Sequence, residues 1–203
     1  MTERIKICGL SRPCDILWAN EAQPDFVGFV FARSRRQVTG EQAAALKKLL
    51  SPKIRAVGVF VNEEPSRVAE LVREGTIDWV QLHGREDEAY LRRLRTMTDC
   101  PLIQAFGIGE KKDIERALES SADYLLLDNG AGGTGRSFDW SLLERLERPF
   151  FLAGGLAQDN IAKARCLGAY CLDVSSGAER DGYKDREKML ACVRAAKGGE
   201  RHV

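Results

Sequence analysis

The sequence has few residues that build metal centres and no segment suited to a membrane. Its 203 residues include six cysteines and two histidines, and no two cysteines form a C-x-x-C pair. A structural zinc site is therefore not expected. The chain contains no run of about 18 apolar residues, and its first residues lack the long apolar segment of a signal peptide. We expect a cytoplasmic protein whose cysteines remain free thiols.

An excess of charge of one sign is also missing. The chain has 31 Lys plus Arg residues against 30 Asp plus Glu residues. Such a balance produces no field that would attract nucleic acid or an acidic membrane surface, so any anion site must be local. No stretch is rich enough in proline or serine to be a linker, and 44% of the residues are hydrophobic. These features predict a single domain spanning residues 1–203.

Short apolar runs recur along the whole chain and predict eight strands. The runs cover residues 5–8, 26–31, 55–61, 79–83, 102–106, 124–128, 150–153 and 170–174. Their first residues lie 20 to 29 positions apart, which leaves room for a helix between strands and is too wide for hairpins. Strands that are apolar on both faces are typical of a parallel sheet covered by helices.

Stretches with one apolar and one charged face lie between these runs and predict helices. They begin at Glu41, Ser66, Glu86, Lys111, Ser141 and Asp185. Eight βα units fit a closed barrel or an open, doubly wound sheet. The even spacing, the count of eight and the absence of a G-x-G-x-x-G turn after the first strand favour a single (β/α)8 TIM barrel.

Small and polar residues follow the last two predicted strands. Gly154 and Gly155 come after the seventh strand, and Ser175, Ser176 and Gly177 come after the eighth. Glycine lets a backbone approach a ligand closely, and the N–H groups at the start of a short helix bind anions. Two tight turns would give the same pattern, but barrels commonly bind phosphate at these two loops. The pair of loops therefore predicts a phosphate site.

Cys8 and Asp128 end the first and sixth predicted strands and form a candidate acid/base pair. A thiolate can remove a proton, and a carboxylic acid can donate one to a leaving oxygen, provided that the site favours those two forms. The alternative for a cysteine in an apolar strand is an inert core thiol. We assign that inert role to Cys166 and Cys171.

Lys6 precedes Cys8 by two residues and so shares its strand face. Its ammonium group is expected to help lower the pKa of the thiol. In a closed barrel the eighth strand pairs with the first, so we also expect an ion pair between Lys6 and Asp173.

A basic run follows the second strand, and a histidine ends the fourth. The run consists of Arg33, Arg35 and Arg36, and the histidine is His83. A guanidinium group can bind a carboxylate through two hydrogen bonds, although most such runs are simply solvated. His83 suits a hydrogen bond to substrate, with a satisfied structural histidine as the equal alternative.

Taken in order, these segments resemble the phosphoribosylanthranilate isomerase family. The resemblance covers nearly the whole chain, and its specificity comes from the ordered set of segments. They are KICGL at Lys6, DFVGFVFARSRRQV at Asp25, VGVFVNEEP at Val57, VQLHG at Val80, LLLD at Leu125, GGTGRSFDW at Gly132, LAGGL followed by Asn160, LDVSSGAE at Leu172 and GYKD at Gly182.

The resemblance implies an Amadori rearrangement in tryptophan biosynthesis. N-(5'-phosphoribosyl)anthranilate is converted to 1-(2-carboxyphenylamino)-1-deoxyribulose 5-phosphate, with Cys8 as general base and Asp128 as general acid. Arg36 contacts the anthranilate carboxylate. The other expected substrate-binding residues are His83, Gly154, Gly155, Asp173, Ser175, Ser176 and Gly177.

The resemblance implies no metal and no organic cofactor. The expected partner is a small phosphosugar, with no nucleic acid and no membrane, and the expected state is a monomer, with a homodimer as the alternative. One alternative function is another phosphosugar barrel enzyme, such as a histidine-pathway aminoaldose isomerase or an epimerase. A second alternative is a non-catalytic phosphosugar-binding module.

Overall fold

Eight parallel strands close into a barrel in the computed structural model, which describes residues 4–129, 139–143 and 146–198. Each strand pairs with the next along the chain, and β8 pairs with β1. The strands are β1 Arg4–Cys8, β2 Phe26–Val30, β3 Arg55–Phe60, β4 Trp79–Leu82, β5 Leu102–Gly107, β6 Tyr124–Asp128, β7 Phe150–Leu152 and β8 Cys171–Val174. The predicted barrel is confirmed, and every predicted strand boundary falls within one residue of the observed one.

Helices cover the outside of the barrel. They are α1 Pro13–Ala22, α2 Gly40–Leu49, α3 Pro65–Arg73, α4 Glu88–Arg95, α5 Lys111–Leu118, α6 Ile161–Ala164 and α7 Arg186–Lys197. A small antiparallel hairpin, β9 Glu179–Arg180 and β10 Tyr183–Lys184, follows β8. The predictions of α2 to α5 and of α7 are confirmed. Within the described ranges, the helix predicted from Ser141 is only a 3₁₀ turn, Trp140–Leu143.

Two helices, α1 and α6, were not predicted from the sequence. In α1 the apolar residues do not form one stripe, because Ile16 and Ala19 are buried whereas Leu17 is exposed. Its start signals are local ones: Pro13 occupies the first turn, and the Asp15 carboxylate accepts from the N–H groups of Ser11 and Arg12. Helix α6 has four residues, too few to show a period.

The barrel interior is apolar at the amino ends of the strands and polar at the carboxyl ends. Phe26, Trp79, Tyr124 and Phe151 pack together near the amino ends, with ring centroids 4.9 to 6.3 Å apart. Charged side chains replace them further along the strands, where Lys6 is fully buried. Since side chains alternate along a strand, inward Lys6 is followed by inward Cys8 at the mouth of the barrel.

No helix within the described ranges is long and apolar enough to cross a membrane.

Candidate active site

A cavity of about 490 Å³ opens at the carboxyl ends of the barrel strands. This volume is within the usual range for small-molecule sites. Nine of the ten predicted site residues line it: Cys8, Arg36, His83, Asp128, Gly154, Gly155, Asp173, Ser175 and Ser176. Gly177 does not line the cavity. A Cβ atom at Gly177 would lie 2.0 Å from the carbonyl oxygen of Leu156, so this glycine lets the loops after β7 and β8 pack together.

Cys8 ends β1 and is buried. The neighbouring strand makes room for the thiol, because a Cβ atom at Gly28 would lie 2.7 Å from Cys8 Sγ. Burial raises the pKa of the Cys8 thiol above its usual value, although the charges of Lys6 and Lys184 lower it. The expected influence of Lys6 is therefore present, but burial outweighs it in the protein without substrate.

The predicted ion pair between Lys6 and Asp173 is confirmed. Lys6 Nζ lies 2.8 Å from Asp173 Oδ2 and also donates to Gln81 Oε1 at 2.9 Å. Burial alone would lower the pKa of Lys6, but the charge of Asp173 raises it above its usual value, so the ammonium form persists. The other carboxylate oxygen, Asp173 Oδ1, is buried without a partner in the described part of the chain. Asp173 also lines the cavity.

His83 follows β4, where its N–H donates to the Phe60 carbonyl at 2.8 Å. Its Nδ1 lies 2.9 Å from Gln81 Nε2. Burial lowers the pKa of His83 below its usual value, so the imidazole is neutral at pH 7.

Asp128 is the last residue of β6 and is partly exposed to the cavity. Its Oδ1 accepts from the N–H of Asn129 at 2.7 Å. Gly154 approaches this carboxylate closely, since a Cβ atom there would lie 2.7 Å from Asp128 Oδ1. Gly154 also has a φ of +88°, in the left-handed region that favours glycine. Asp128 and Gly154 therefore constrain each other's position.

The loop after β7 presents backbone groups to the cavity. Within the described residues, the N–H groups of Gly154 and Gly155 donate to no protein acceptor. Asn160 holds this loop, because its Nδ2 donates to the Gly155 carbonyl at 2.8 Å and its Oδ1 accepts from the N–H of Ala157 at 2.9 Å. On the other side, Ser176 begins the 3₁₀ turn Ser176–Ala178. This arrangement can accept a phosphate group.

Arg36 forms a two-point ion pair with Glu179 from the β9–β10 hairpin. Arg36 Nε donates to Glu179 Oε1 at 2.6 Å, and Arg36 Nη2 donates to Oε2 at 2.8 Å. Lys184 Nζ also donates to Glu179 Oε1 at 2.6 Å. Burial alone would raise the pKa of Glu179, but hydrogen bonds from Arg36 and Lys184 lower it. One edge of the Arg36 guanidinium, Nε and Nη2, is thus occupied by Glu179.

Three residues that shape the site were not predicted from the sequence: Gln81, Glu179 and Lys184. The sequence does contain a signal for the pairing of Glu179 with Lys184. The dipeptide Asp181-Gly182 is typical of a tight hairpin turn, and such a turn places Glu179 opposite Lys184. Gln81 gave no local signal, since a single polar residue in a strand does not reveal which side chain it will face.

Two further predictions concern glycines and thiols. The glycine-rich segment at residues 130–135 lies outside the described part of the chain. Both Cys166 and Cys171 were predicted to be inert core thiols. Cys171 is buried as predicted, but the prediction for Cys166 is wrong, because Cys166 is exposed. It lies in the 3₁₀ turn Arg165–Leu167 at the surface rather than in a strand. Among the described residues, no group of three or more His, Cys, Asp and Glu side chains could hold a metal ion.

The closed barrel and the cavity at its carboxyl ends, which Cys8 and Asp128 line, define the class of the protein as a (β/α)8-barrel enzyme. The family model described as "N-(5'phosphoribosyl)anthranilate (PRA) isomerase" matches residues 5–195. The chain therefore belongs to the N-(5'-phosphoribosyl)anthranilate isomerase family and is an isomerase.

Individual relatives agree with this assignment over nearly full length. The N-(5'-phosphoribosyl)anthranilate isomerase of Endomicrobium trichonymphae is 43% identical over 196 residues, covering 94% of this chain and 96% of its own. The crystal structure of the Thermotoga maritima phosphoribosylanthranilate isomerase has a TM-score of 0.89 at 36% identity, covering 97% and 99% of the two chains.

A further solved structure of a phosphoribosylanthranilate isomerase contains a bound molecule. This phosphoribosylanthranilate isomerase is in complex with reduced 1-(o-carboxyphenylamino)-1-deoxyribulose 5-phosphate, with a TM-score of 0.85 at 35% identity and coverage of 97% and 99%. The two alternative functions, another phosphosugar barrel enzyme and a non-catalytic binding module, are not favoured by these relatives.

Proposed function

We propose that the chain converts N-(5'-phosphoribosyl)anthranilate to 1-(2-carboxyphenylamino)-1-deoxyribulose 5-phosphate with Cys8 as general base and Asp128 as general acid. The reaction is that of its family and belongs to tryptophan biosynthesis. The observation that carries the assignment of roles is that Cys8 on β1 and Asp128 on β6 line one cavity. Between them lies space for the reacting carbons of a small phosphosugar.

The first step of the reaction opens the sugar ring. Asp128 donates a proton to the furanose oxygen, the bond from that oxygen to C1' breaks, and the anthranilate nitrogen forms a protonated Schiff base with C1'. Cys8 then removes the proton from C2', and the electron pair of that bond forms the C1'–C2' double bond of an enolamine. Loss of the hydroxyl proton at C2' and protonation at C1' give the ketone, so the product is an isomer of the substrate.

The two ends of the substrate are held by different loops at the mouth of the barrel. Arg36 suits the anthranilate carboxylate, since Glu179 fixes the orientation of its guanidinium group. The N–H groups of Gly154 and Gly155, together with the loop that contains Ser175 and Ser176, suit the phosphate. Asp173, which lines the cavity, suits a sugar hydroxyl. Fixing both ends aligns the reacting carbons with the acid and the base.

The fluorescence of freshly generated phosphoribosylanthranilate provides the test, measured with a chelator present. We expect a rapid loss of signal on addition of the wild-type protein. Asp128→Asn should give only the spontaneous rate, because an amide cannot protonate the ring oxygen. A wild-type rate equal to the spontaneous rate would contradict the activity, and an unimpaired Asp128→Asn protein would contradict the role of the acid.

We also propose that the protein is cytoplasmic, binds no cofactor, and acts as a monomer or a homodimer. The six free cysteines support a reducing compartment. Light scattering at micromolar concentration distinguishes the two oligomeric states, and dialysis against a chelator tests whether activity depends on a metal ion.

A further inference from the structure

A buried chain of hydrogen bonds runs across the barrel beneath the candidate acid and base. Lys6 Nζ on β1 donates to Asp173 Oδ2 on β8 at 2.8 Å and to Gln81 Oε1 on β4 at 2.9 Å. The other end of the Gln81 amide, Nε2, lies 2.9 Å from Nδ1 of His83. Lys6 and Gln81 are almost completely buried, at 0% and 1% exposure. Solvent cannot replace the hydrogen bonds of these two side chains, so each of them depends on its protein partners.

Lys6 determines which way the Gln81 amide faces. An ammonium group only donates hydrogen bonds, so the atom of Gln81 that faces it must be the carbonyl oxygen. A flipped amide would direct an NH₂ group at the ammonium and would leave a buried donor unsatisfied, which is unfavourable. Lys6 is itself held in the charged form by Asp173, which stands directly opposite it in the β1–β8 register.

The orientation of Gln81 in turn determines the tautomer of His83. The amide nitrogen only donates, so Nδ1 of His83 must accept and carries no proton. A neutral imidazole without a proton on Nδ1 carries it on Nε2. Burial lowers the pKa of His83, and this effect outweighs the charges of Asp128, Asp173 and Glu86, which act in the opposite direction. The ring therefore stays neutral at pH 7.

We propose that Gln81 is a positioning residue that keeps neutral His83 protonated on Nε2, so that His83 donates a hydrogen bond to an oxygen of the substrate. The His83 side chain lines the cavity beside Asp128, and its Nε2 has no acceptor in the described part of the chain. A neutral imidazole protonated on Nε2 offers one hydrogen-bond donor to the cavity without adding a positive charge beside Asp128.

The contact with substrate depends on the proposed function, but the tautomer of His83 does not. The tautomer can be measured in the free protein labelled with ¹⁵N-histidine. The chain has two histidines, and a His83→Asn variant assigns the remaining signals to His202. Long-range ¹H–¹⁵N correlation spectra distinguish a bare ring nitrogen from a protonated one. We expect Nδ1 of His83 to be bare and Nε2 to be protonated at pH 7.

Gln81→Glu reverses the polarity of the link to His83. The new carboxylate would still accept a hydrogen bond from Lys6. Unlike the amide, however, it has no N–H group to donate to His83 and can only accept a hydrogen bond from it. Nδ1 of His83 should therefore become protonated, as the other tautomer or as imidazolium. The matched control is Gln104→Glu, which places the same substitution at a buried position of the next strand. Gln104 bonds to the Glu86 carbonyl and to Ser120, away from His83, so its spectrum should match wild type.

The kinetic consequence is a fall of about tenfold or more in kcat/KM for Gln81→Glu at pH 7, equivalent to loss of one hydrogen bond. Gln104→Glu should change kcat/KM less than Gln81→Glu. A wild-type spectrum with a protonated Nδ1 would overturn the proposal without any variant. An unchanged tautomer in Gln81→Glu, or the same change in Gln104→Glu, would also overturn it. If the spectra are as expected but no isomerisation is detected, only the proposed function fails.

Discussion

Arg36 and Glu179 lie 143 positions apart in the sequence and form a two-point ion pair at the edge of the cavity, with N to O distances of 2.6 and 2.8 Å. The pair connects the loop after β2 to the β9–β10 hairpin. Glu179 is shared with Lys184, whose side chain is fully buried. Arg35 also pairs with Glu179, at 3.4 Å. Three cations thus meet one carboxylate, and the surplus positive charge lies at the edge of the cavity that Arg36 lines. The ion pair holds the Arg36 guanidinium in one orientation at the cavity.

Arg36→Ala should weaken substrate binding far more than it slows turnover. We expect KM to rise about 10- to 100-fold, the effect of losing a charge-assisted hydrogen bond. Steady-state kinetics measures the change. The matched control is Arg35→Ala, because Arg35 also reaches Glu179, at 3.4 Å, but is exposed and does not line the cavity. Arg35→Ala should leave KM near the wild-type value. A fall in kcat alone in Arg36→Ala would contradict the carboxylate-binding role.

The ion pair between Glu179 and Lys184 should be important for stability. Glu179→Gln leaves the Lys184 ammonium group buried without its counter-charge, and we expect the free energy of unfolding to fall by about 3 kcal/mol. For a chain of this size that corresponds to a fall of roughly 6–12 °C in Tm. The double variant Glu179→Gln/Lys184→Met should lose less than the sum of the single variants. Additive losses in thermal unfolding would show that the two groups do not interact.

The strands could be predicted closely because this sheet is buried on both sides. Inward residues such as Leu126 and outward residues such as Leu125 are both apolar, so β6 appears as a continuous run. The barrel rule then located the site, since active-site residues lie at the carboxyl ends of the strands. Cys8, Asp128 and Gly154 were found in this way from their chain positions alone.

The remaining parts of the site depend on pairings between distant segments. Nothing near Glu179 in the sequence reveals that it will meet Arg36, and nothing near Gln81 indicates Lys6 as its partner. The direction of the pKa shift of Cys8 could not be predicted from the sequence either. The strand pattern shows that Lys6 lies on the same face as Cys8, and the charge of Lys6 lowers the pKa of the thiol. The burial that raises the pKa by more depends on closure of the barrel. Similarly, α1 is defined by its capping contacts rather than by an apolar stripe.

The Cys8 thiolate should become more abundant with pH through the neutral and mildly alkaline range. Burial raises the pKa of the Cys8 thiol in the protein without substrate. Below that pKa the thiolate fraction increases tenfold per pH unit, or about 100-fold between pH 7 and pH 9. The ultraviolet absorbance of the thiolate, taken as the difference between the wild-type protein and Cys8→Ser at constant ionic strength, measures this fraction. A difference absorbance that is flat above pH 7 would mean that Cys8 is already ionised.

Replacing Cys8 tests whether this particular thiol, and not another cysteine, is the general base. Cys8→Ser should reduce kcat about 100-fold or more, because a hydroxyl group is a much poorer base than a thiolate. The exposed Cys166 supplies the control, and Cys166→Ser should keep the wild-type rate and pH profile. Single-turnover measurements would show whether the proton-removal step is the one affected. A near-normal rate in Cys8→Ser would remove the thiolate from the mechanism.

Gly154→Ala should impair catalysis by displacing the acid. Gly154 and Gly168 both have positive φ angles, +88° and +70°, so alanine at either position carries a backbone cost of about 1–2 kcal/mol. Only at Gly154 does the added methyl group meet a catalytic group, because its Cβ would lie 2.7 Å from Asp128 Oδ1, whereas nothing lies within 4 Å at Gly168. A carboxyl group displaced by about 1 Å can slow a reaction roughly 100-fold. We therefore expect similar losses of stability in the two variants but a large fall in kcat only in Gly154→Ala. Equal kcat values would show that the close approach of Gly154 does not position Asp128.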